Sequence, residues 1–226
     1  IRYLYEIANV LPGFLEERGF TVMGAPQIEI GCGKGAFIAA MAEKHKDSFF
    51  IAVEGNRSVL LRAMEKIRDR NLKNVIFIPS FVEDLREWFG PAEVEKIFLN
   101  FSDPWQKPSY YRHRLTYRTK LLQYFDTMGP DGTVTFKTDN KDLFEFSVRE
   151  ALAADLEIQG ITRDLHASDY RFDSPQTEYE RKFGGPDGVN INWINLKRKA
   201  GKDGEMGKNR SMIAYNGRKI PKEDKI

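Results

Sequence analysis

The stretch Gln27-Ile28-Glu29-Ile30-Gly31-Cys32-Gly33-Lys34-Gly35 decides how the rest of the chain reads. A short, mainly apolar run ends in three glycines at alternate positions, and a helical pattern follows. Within Gly35–Lys46, Phe37, Ile38, Met41 and Ala42 fall on one helical face. Strand, tight turn and helix is the opening of a βαβ unit, and outward from it the alternation continues. Phe49–Val53 reads as a second strand. Ser58–Arg70 reads as a helix with Ser58 as its N-cap and Val59, Leu60, Ala63, Met64 and Ile67 at helical spacing. Strand-like Val75–Ile78, a short helix at Val82–Phe89 and strand Lys96–Phe101 come next. Thr116–Met128 is a predicted helix stopped by Gly129-Pro130, and strand Thr133–Lys137 and helix Lys141–Ala154 follow it. Leu156–Thr162 and Asn190–Leu196 make a closing antiparallel pair. Strands alternating with helices predict an α/β fold with a mainly parallel sheet. Its functional residues should follow the carboxyl ends of the strands. Upstream, Tyr3–Gly19 reads as an amphipathic helix with Leu4, Ile7, Leu11 and Leu15 on one side.

Glycines at Gly31, Gly33 and Gly35 permit a tight turn and close approach of a ligand to the backbone. The spacing Gly31-x-Gly33-x-x-Ala36 satisfies a dinucleotide-binding pattern. The pattern acidic-x-Gly-x-Gly-x-Gly of S-adenosylmethionine-dependent methyltransferases fits better, because it also explains Glu29 and the third glycine. Glu54 ends the second strand, where a carboxylate can accept hydrogen bonds from both ribose hydroxyls of an adenosine cofactor. Both cofactor classes need that acid, so Glu54 does not separate them.

A second constellation closes the fourth strand: Leu99-Asn100-Phe101-Ser102-Asp103-Pro104-Trp105. Pro104 fixes its own φ and pushes Asp103 out of the helical region, and Trp105 offers a flat face for a nucleobase. A carboxylate, a rigid turn and an aromatic at one sheet edge suit a base-handling site. Directly after it, Gln106–Lys120 carries Lys107, Arg112, Arg114, Arg118 and Lys120 without any acidic residue, interleaved with Tyr110, Tyr111, His113 and Tyr117. That mixture is what phosphate neutralisation and base stacking require, so Trp105, Lys107, Arg112 and Arg114 are candidate nucleic-acid contacts.

The overall balance is less informative. With 226 residues, 35 Lys+Arg and 33 Asp+Glu, the formal charge of +2 argues against general coating of nucleic acid. It does not exclude a local basic surface. Length predicts one large domain over residues 1–199, followed by a basic extension, Ala200–Ile226, with seven basic and four acidic residues. The single cysteine, Cys32, excludes a disulfide framework within the chain and fits a reducing cytoplasm. No run approaches the roughly 18 apolar residues of a membrane span, and no signal peptide is visible. His45, His113 and His166 are far apart in the sequence, so no metal-ligand spacing exists and no metal is expected. A monomer or a homodimer fits equally well.

Four motifs occur in order: Glu29–Gly35, Asn100–Trp105, Lys137-Thr138-Asp139-Asn140 and Thr177-Glu178-Tyr179-Glu180-Arg181-Lys182-Phe183. Together, over roughly Gln27 to Leu196, they closely resemble the bacterial tRNA (guanine-7)-methyltransferases. The resemblance implies a Rossmann-like class I methyltransferase fold with seven strands. It also implies transfer of a methyl group from S-adenosylmethionine to nitrogen 7 of the guanine in the tRNA variable loop. On it, Glu29 and Glu54 look like cofactor contacts and Asp103 like the residue essential for chemistry. Asp139, Thr177 and Glu180 look like parts of the substrate and cofactor pocket. The chain departs from the family's pattern in three places. Gln106-Lys107-Pro108-Ser109 replaces a Pro-Lys-Lys/Arg-His run. Ile78-Pro79-Ser80-Phe81-Val82-Glu83 stands where the family has its adenine contact, leaving Ser80 and Glu83 to take that place. Ala200–Ile226 has no counterpart.

Three other readings compete. A dinucleotide-dependent dehydrogenase leaves the Asp-Pro-Trp turn unused. A non-catalytic RNA-binding module leaves the cofactor turn unused. A methyltransferase acting on an exocyclic amine or another RNA base shares most of the features.

Overall fold

The computed structural model describes residues 24–172, 175–183 and 188–199. The helix expected over Tyr3–Gly19 and the basic extension Ala200–Ile226 lie outside the described residues. In chain order the principal elements are β1 (Gln27–Ile30), α1 (Ala36–Lys44), β2 (Phe50–Val53), α2 (Arg57–Asp69), β3 (Val75–Ile78), β4 (Val94–Asn100), α3 (Arg118–Thr127), β5 (Met128–Thr138), α4 (Lys141–Ala153), β6 (Leu156–Thr162), α5 (Glu178–Phe183) and β7 (Asn192–Arg198).

Seven strands form one sheet in the order β3-β2-β1-β4-β5-β7-β6. The first five pair in parallel, and β7 enters between β5 and β6 antiparallel to both. This is the mainly parallel α/β sheet with an antiparallel closing strand that the alternation predicts. Parallel strands need both faces covered, and the side chains divide accordingly. Ile51, Val53, Ile97, Leu99, Val134 and Phe136 pack on one face with Leu121, Tyr124 and Phe125 of α3 and Leu143, Phe144 and Phe146 of α4. Phe50, Ala52, Phe77 and Phe98 point to the other, against Phe37, Ile38 and Ala42 of α1 and Leu60, Ala63 and Ile67 of α2. Burial of a large apolar side chain is worth about 1.5–3 kcal/mol, so these two layers hold the strand ends in register.

Several local details differ from the sequence reading. Asn56, not Ser58, caps α2: its side chain accepts from the Ser58 and Val59 backbone N–H groups at 3.1 and 3.3 Å. The helix expected over Val82–Phe89 is a single 3₁₀ turn, Leu85–Glu87, capped by Asp84. The helix expected over Thr116–Met128 is Arg118–Thr127, and Gly129-Pro130 lies inside β5, where Met128 pairs with Val94. Pro130 is exposed there, so its missing N–H leaves no buried carbonyl unpaired.

Candidate active site

Strand order reverses between β1 and β4, and a crevice opens beyond their carboxyl ends. A cleft of ≈ 240 Å³ lies there, lined by Glu29, the glycine turn, Asn100 and Phe101, and closed on its far side by Thr177, Glu178 and Tyr179. Residues from three distant parts of the sequence thus meet at one strand-end surface.

The glycine turn forms one wall. Gly31, Gly33 and Gly35 have φ of 78°, 54° and 73°, all left-handed, where a side chain costs roughly 1–2 kcal/mol. They serve different ends. A Cβ at Gly31 or Gly33 would meet nothing within 4 Å, so the backbone there is bare toward open space. A Cβ at Gly35 would lie 2.6 Å from the Ala63 side chain, so this glycine lets α1 begin directly against α2. Glu54 reaches back across the turn: one carboxylate oxygen accepts from Gly33 N–H at 3.1 Å and the other from Asn56 N–H at 2.8 Å.

Glu29 is the floor. It is 2% exposed, and Oε1 accepts from Asn100 Nδ2 at 2.8 Å. Oε2 is buried with no hydrogen-bond partner. Burial pushes the carboxyl up to about 8, against the Asn100 hydrogen bond, the Lys137 ammonium and the Ile38 backbone N–H, which favour the charged form. A buried acid with one unsatisfied oxygen at the base of a cleft is a socket for a cation or a hydrogen-bond donor.

The far side is held by three consecutive residues of α5. Glu178 forms an ion pair with Lys66 of α2. The Tyr179 hydroxyl donates to Asp139 at 2.7 Å, and its ring packs on Phe101 and Phe183 with centroids 4.7 Å away in both cases. Glu180 accepts from Lys137 Nζ at 2.8 Å, both side chains being almost fully buried. Thr177 and Glu180 form a reciprocal cap. Glu180 N–H donates to Thr177 Oγ1 at 3.1 Å, and Thr177 N–H donates to the Glu180 carboxylate at 2.8 Å. Burial lowers the Lys137 pKa, and the Glu180 charge opposes that shift. Thr177 lines the cleft, whereas the Glu180 carboxylate is committed to holding α5.

The Asp-Pro-Trp turn leaves β4 beside the cleft. Phe101 and Trp105 both have left-handed backbone, with φ of 52° and 38°. Asp103 is exposed, and Trp105 is 41% exposed, its ring against Tyr110 and His113 at 5.9 and 5.3 Å between centroids. Among the five cations expected to form a basic surface, the structure makes a distinction that composition does not. Lys107 and Arg112 are exposed. Arg118 is paired through two nitrogens with Glu150. Lys120 donates to the Val82 carbonyl at 3.1 Å and to that of Glu83. Arg114, expected at a phosphate, is 4% exposed, and its guanidinium donates to the Pro104 and Trp105 carbonyls at 2.8 and 3.3 Å. A group enclosed in this way has no face left for an RNA backbone, so that expectation is corrected.

Ser80 and Glu83 lie in the loop after β3, outside this cleft. The Ser80 hydroxyl donates to the Phe81 carbonyl, and the Glu83 side chain is exposed. Asn100, Phe101, Lys137 and Tyr179 were not singled out as site residues, although the quoted motifs contain each of them. The Thr177-x-x-Glu180 spacing is itself a capping-box signal that marks a helix start. Among the described residues, no group of three or more His, Cys, Asp or Glu could hold a metal ion. No helix among them is long and apolar enough to cross a membrane.

Comparison with known proteins narrows the chemistry. A family model described as "Putative methyltransferase" matches residues 25–191. A tRNA (guanine-N(7)-)-methyltransferase of Brevibacillus brevis is 43% identical over 156 residues, covering 69% of this chain and 73% of the relative. One from Bacillus velezensis is 38% identical over 181 residues, covering 79% and 83%. Among solved structures, a SAM-dependent methyltransferase from Aquifex aeolicus shares the fold, with a TM-score of 0.51 and 12% identity over 84% of this chain and 91% of its own.

Proposed function

Because the chain belongs to the family of tRNA (guanine-N7)-methyltransferases, we propose that it transfers a methyl group from S-adenosylmethionine to nitrogen 7 of the variable-loop guanine in tRNA. The observation that carries this reading is the juxtaposition at the β1–β4 crevice. A cleft floored by a buried carboxyl group with one unpartnered oxygen lies beside a turn that presents Asp103 and Trp105.

The residues present fit the cofactor. Glu29 Oε2 lacks a partner and suits the ammonium of the cofactor's amino-acid end. Gly31 and Gly33 leave bare backbone for close approach. Glu54, anchored by Gly33 and Asn56, retains lone pairs for ribose hydroxyls. When bound, S-adenosylmethionine supplies an electrophilic methyl group on a sulfonium.

Nitrogen 7 of guanine has a free lone pair and no hydrogen, so the protein need not remove a proton before transfer. What the chain must provide is alignment and charge placement. Asp103 accepts hydrogen bonds from the Watson–Crick edge of guanine and offsets the positive charge that develops on the base. Trp105 and Tyr110 offer faces to a base that has left its stack, a step that costs a few kcal/mol. Lys107 and Arg112 meet phosphates. Asp139 acts through Tyr179, holding the cleft rim, while Thr177 and Glu180 fix α5 beneath it.

Incubation with labelled S-adenosylmethionine and tRNA lacking the modification, followed by nucleoside analysis, tests the proposal. Label in 7-methylguanosine is the expected result. Label on an exocyclic amine or on another base would move the protein to a different reaction.

A further inference from the structure

Arg114 comes four residues after an exposed tyrosine, in a strongly basic segment of the chain, yet its environment is that of a core residue. Its guanidinium carbon lies 3.7 Å from the Tyr111 ring centroid and 4.3 Å from that of Phe146, on α4. Tyr111 and Phe146 themselves meet edge to face at 5.3 Å. In this slot Arg114 turns its nitrogens to the carbonyls of Pro104 and Trp105. Those two carbonyls belong to the peptides on either side of the Trp105 Cα, a residue held at φ 38°.

A non-glycine residue in left-handed backbone costs on the order of 1–3 kcal/mol and persists only where its surroundings impose it. The planar guanidinium fork is suited to two carbonyls at once, and its flat face is suited to stacking on rings. Lysine has neither property. The fork therefore ties the Asp103-Pro104-Trp105 turn to α4, a helix of the rigid core, through a charge that does not titrate in the working range.

We propose that Arg114 is a positioning residue of the methyl-transfer reaction: it fixes the Pro104–Trp105 backbone and thereby sets the direction of the Asp103 carboxylate and the Trp105 ring. This inference rests on the reading of Asp103 as the carboxylate that receives the base. It places Arg114 outside the RNA contact surface.

The test is a double-mutant cycle on single-turnover methylation of tRNA, comparing wild type, Asp103→Asn, Arg114→Lys and the double variant. Arg114→Lys should lower the turnover rate at least about tenfold while leaving KM for tRNA within about twofold. It should also speed amide exchange in residues 102–106 without changing exchange in β1 or β4. Because Arg114 acts through the turn that carries Asp103 and Trp105, the loss in the double variant should be smaller than the product of the two single losses. Losses that multiply, or a loss confined to KM with a flatter salt dependence, would overturn the proposal. If Arg114→Lys does not fold, Phe146→Leu removes one stacking face while keeping an apolar side chain at that core position. It should lower turnover in the same direction and by less, and an unchanged turnover would count against the proposal. Near wild-type activity in Asp103→Asn would refute the reading of Asp103 itself. A slow Asp103→Asn beside a fast Arg114→Lys would refute only the role of Arg114.

Discussion

At the end of β1 the chain turns through left-handed backbone at Gly31, Gly33 and Gly35. At the end of β4 it does so at Phe101 and Trp105. In the first turn the composition removes the steric cost, because no Cβ is present to resist. In the second the cost remains and is offset by partners: Tyr179 on the Phe101 ring, Tyr110 and His113 around Trp105, and Arg114 on the carbonyls. The two turns also offer different things to a ligand. The glycine turn presents backbone with no side chain over it, and open space beside Gly31 and Gly33. The aromatic turn presents a carboxylate and a ring whose aim depends on side chains elsewhere. On the proposed function, a cofactor turn whose conformation its own glycines permit lies beside a base-handling turn held by side chains from elsewhere in the chain.

The strongest way to break this pairing is at Asp103. Asp103→Asn should reduce single-turnover methylation by about 10²-fold or more, the scale of losing one preorganised electrostatic partner. Binding of S-adenosylhomocysteine, measured by calorimetry, should stay within about twofold, since the glycine wall is untouched.

Two glycine substitutions sharpen the contrast within that wall. Gly35→Ala brings a Cβ to 2.6 Å from Ala63 as well as left-handed strain, and should cost about 3 kcal/mol of stability in urea unfolding. Gly31→Ala meets open space and should cost only about 1–2 kcal/mol. Its larger effect should be on cofactor affinity, because its methyl group enters the cleft.

Next in size is the pH response set by Glu29. Its carboxyl, raised to about 8 in the fold, holds a proton more tightly there than in the unfolded chain, where its ordinary value is 4.5. The stabilisation is therefore fully present below pH 4.5 and is lost as pH rises toward 8, by up to about 1.4 kcal/mol per pH unit. Glu29→Gln has no such proton to lose. Without cofactor, its thermal midpoint should exceed that of wild type increasingly from pH 5 to 8, and a constant difference would remove Glu29 as the source.

The smallest effect should be at the rim. Arg112→Ala or Lys107→Ala should lower the slope of log affinity for tRNA against log salt by about 1 each, with turnover at saturation unchanged. Arg118→Ala should leave that slope nearly as it was, because its charge is already paired with Glu150.

The same contrast explains what could be read from the chain alone. The glycine turn was legible because three glycines at alternate positions after a short apolar strand are a local signal, and Glu29 and Glu54 because each stands at a strand end beside that turn. So was the parallel sheet, since its strands are short apolar runs of regular spacing. Arg114 was misread because a charge among charges looks solvated in sequence, and nothing local says that two carbonyls ten and nine residues back and a ring 32 residues ahead enclose it. Glu180 was read as a pocket residue for a similar reason: its partner Lys137 lies 43 positions away. The cap of α2 moved from Ser58 to Asn56 because both residues suit an N-cap, and the backbone turns helical at Arg57.

The late position of β7 gives the molecule a history during its own synthesis. By Thr138 the chain holds five parallel strands and both turns of the crevice, but the free side of β5 still awaits β7. The ammonium of Lys137, at the end of β5, has Glu29 nearby but acquires its hydrogen-bonded carboxylate only when Glu180 emerges 43 residues later. At about 5–20 residues per second, that interval is roughly 2–9 s. For that time the nascent protein carries an open sheet edge and, beside it, an ammonium without its ion-pair partner. The ion pair that later seals the cleft is in this sense a completion signal: the cleft closes only once the last strand of the sheet is about to be made.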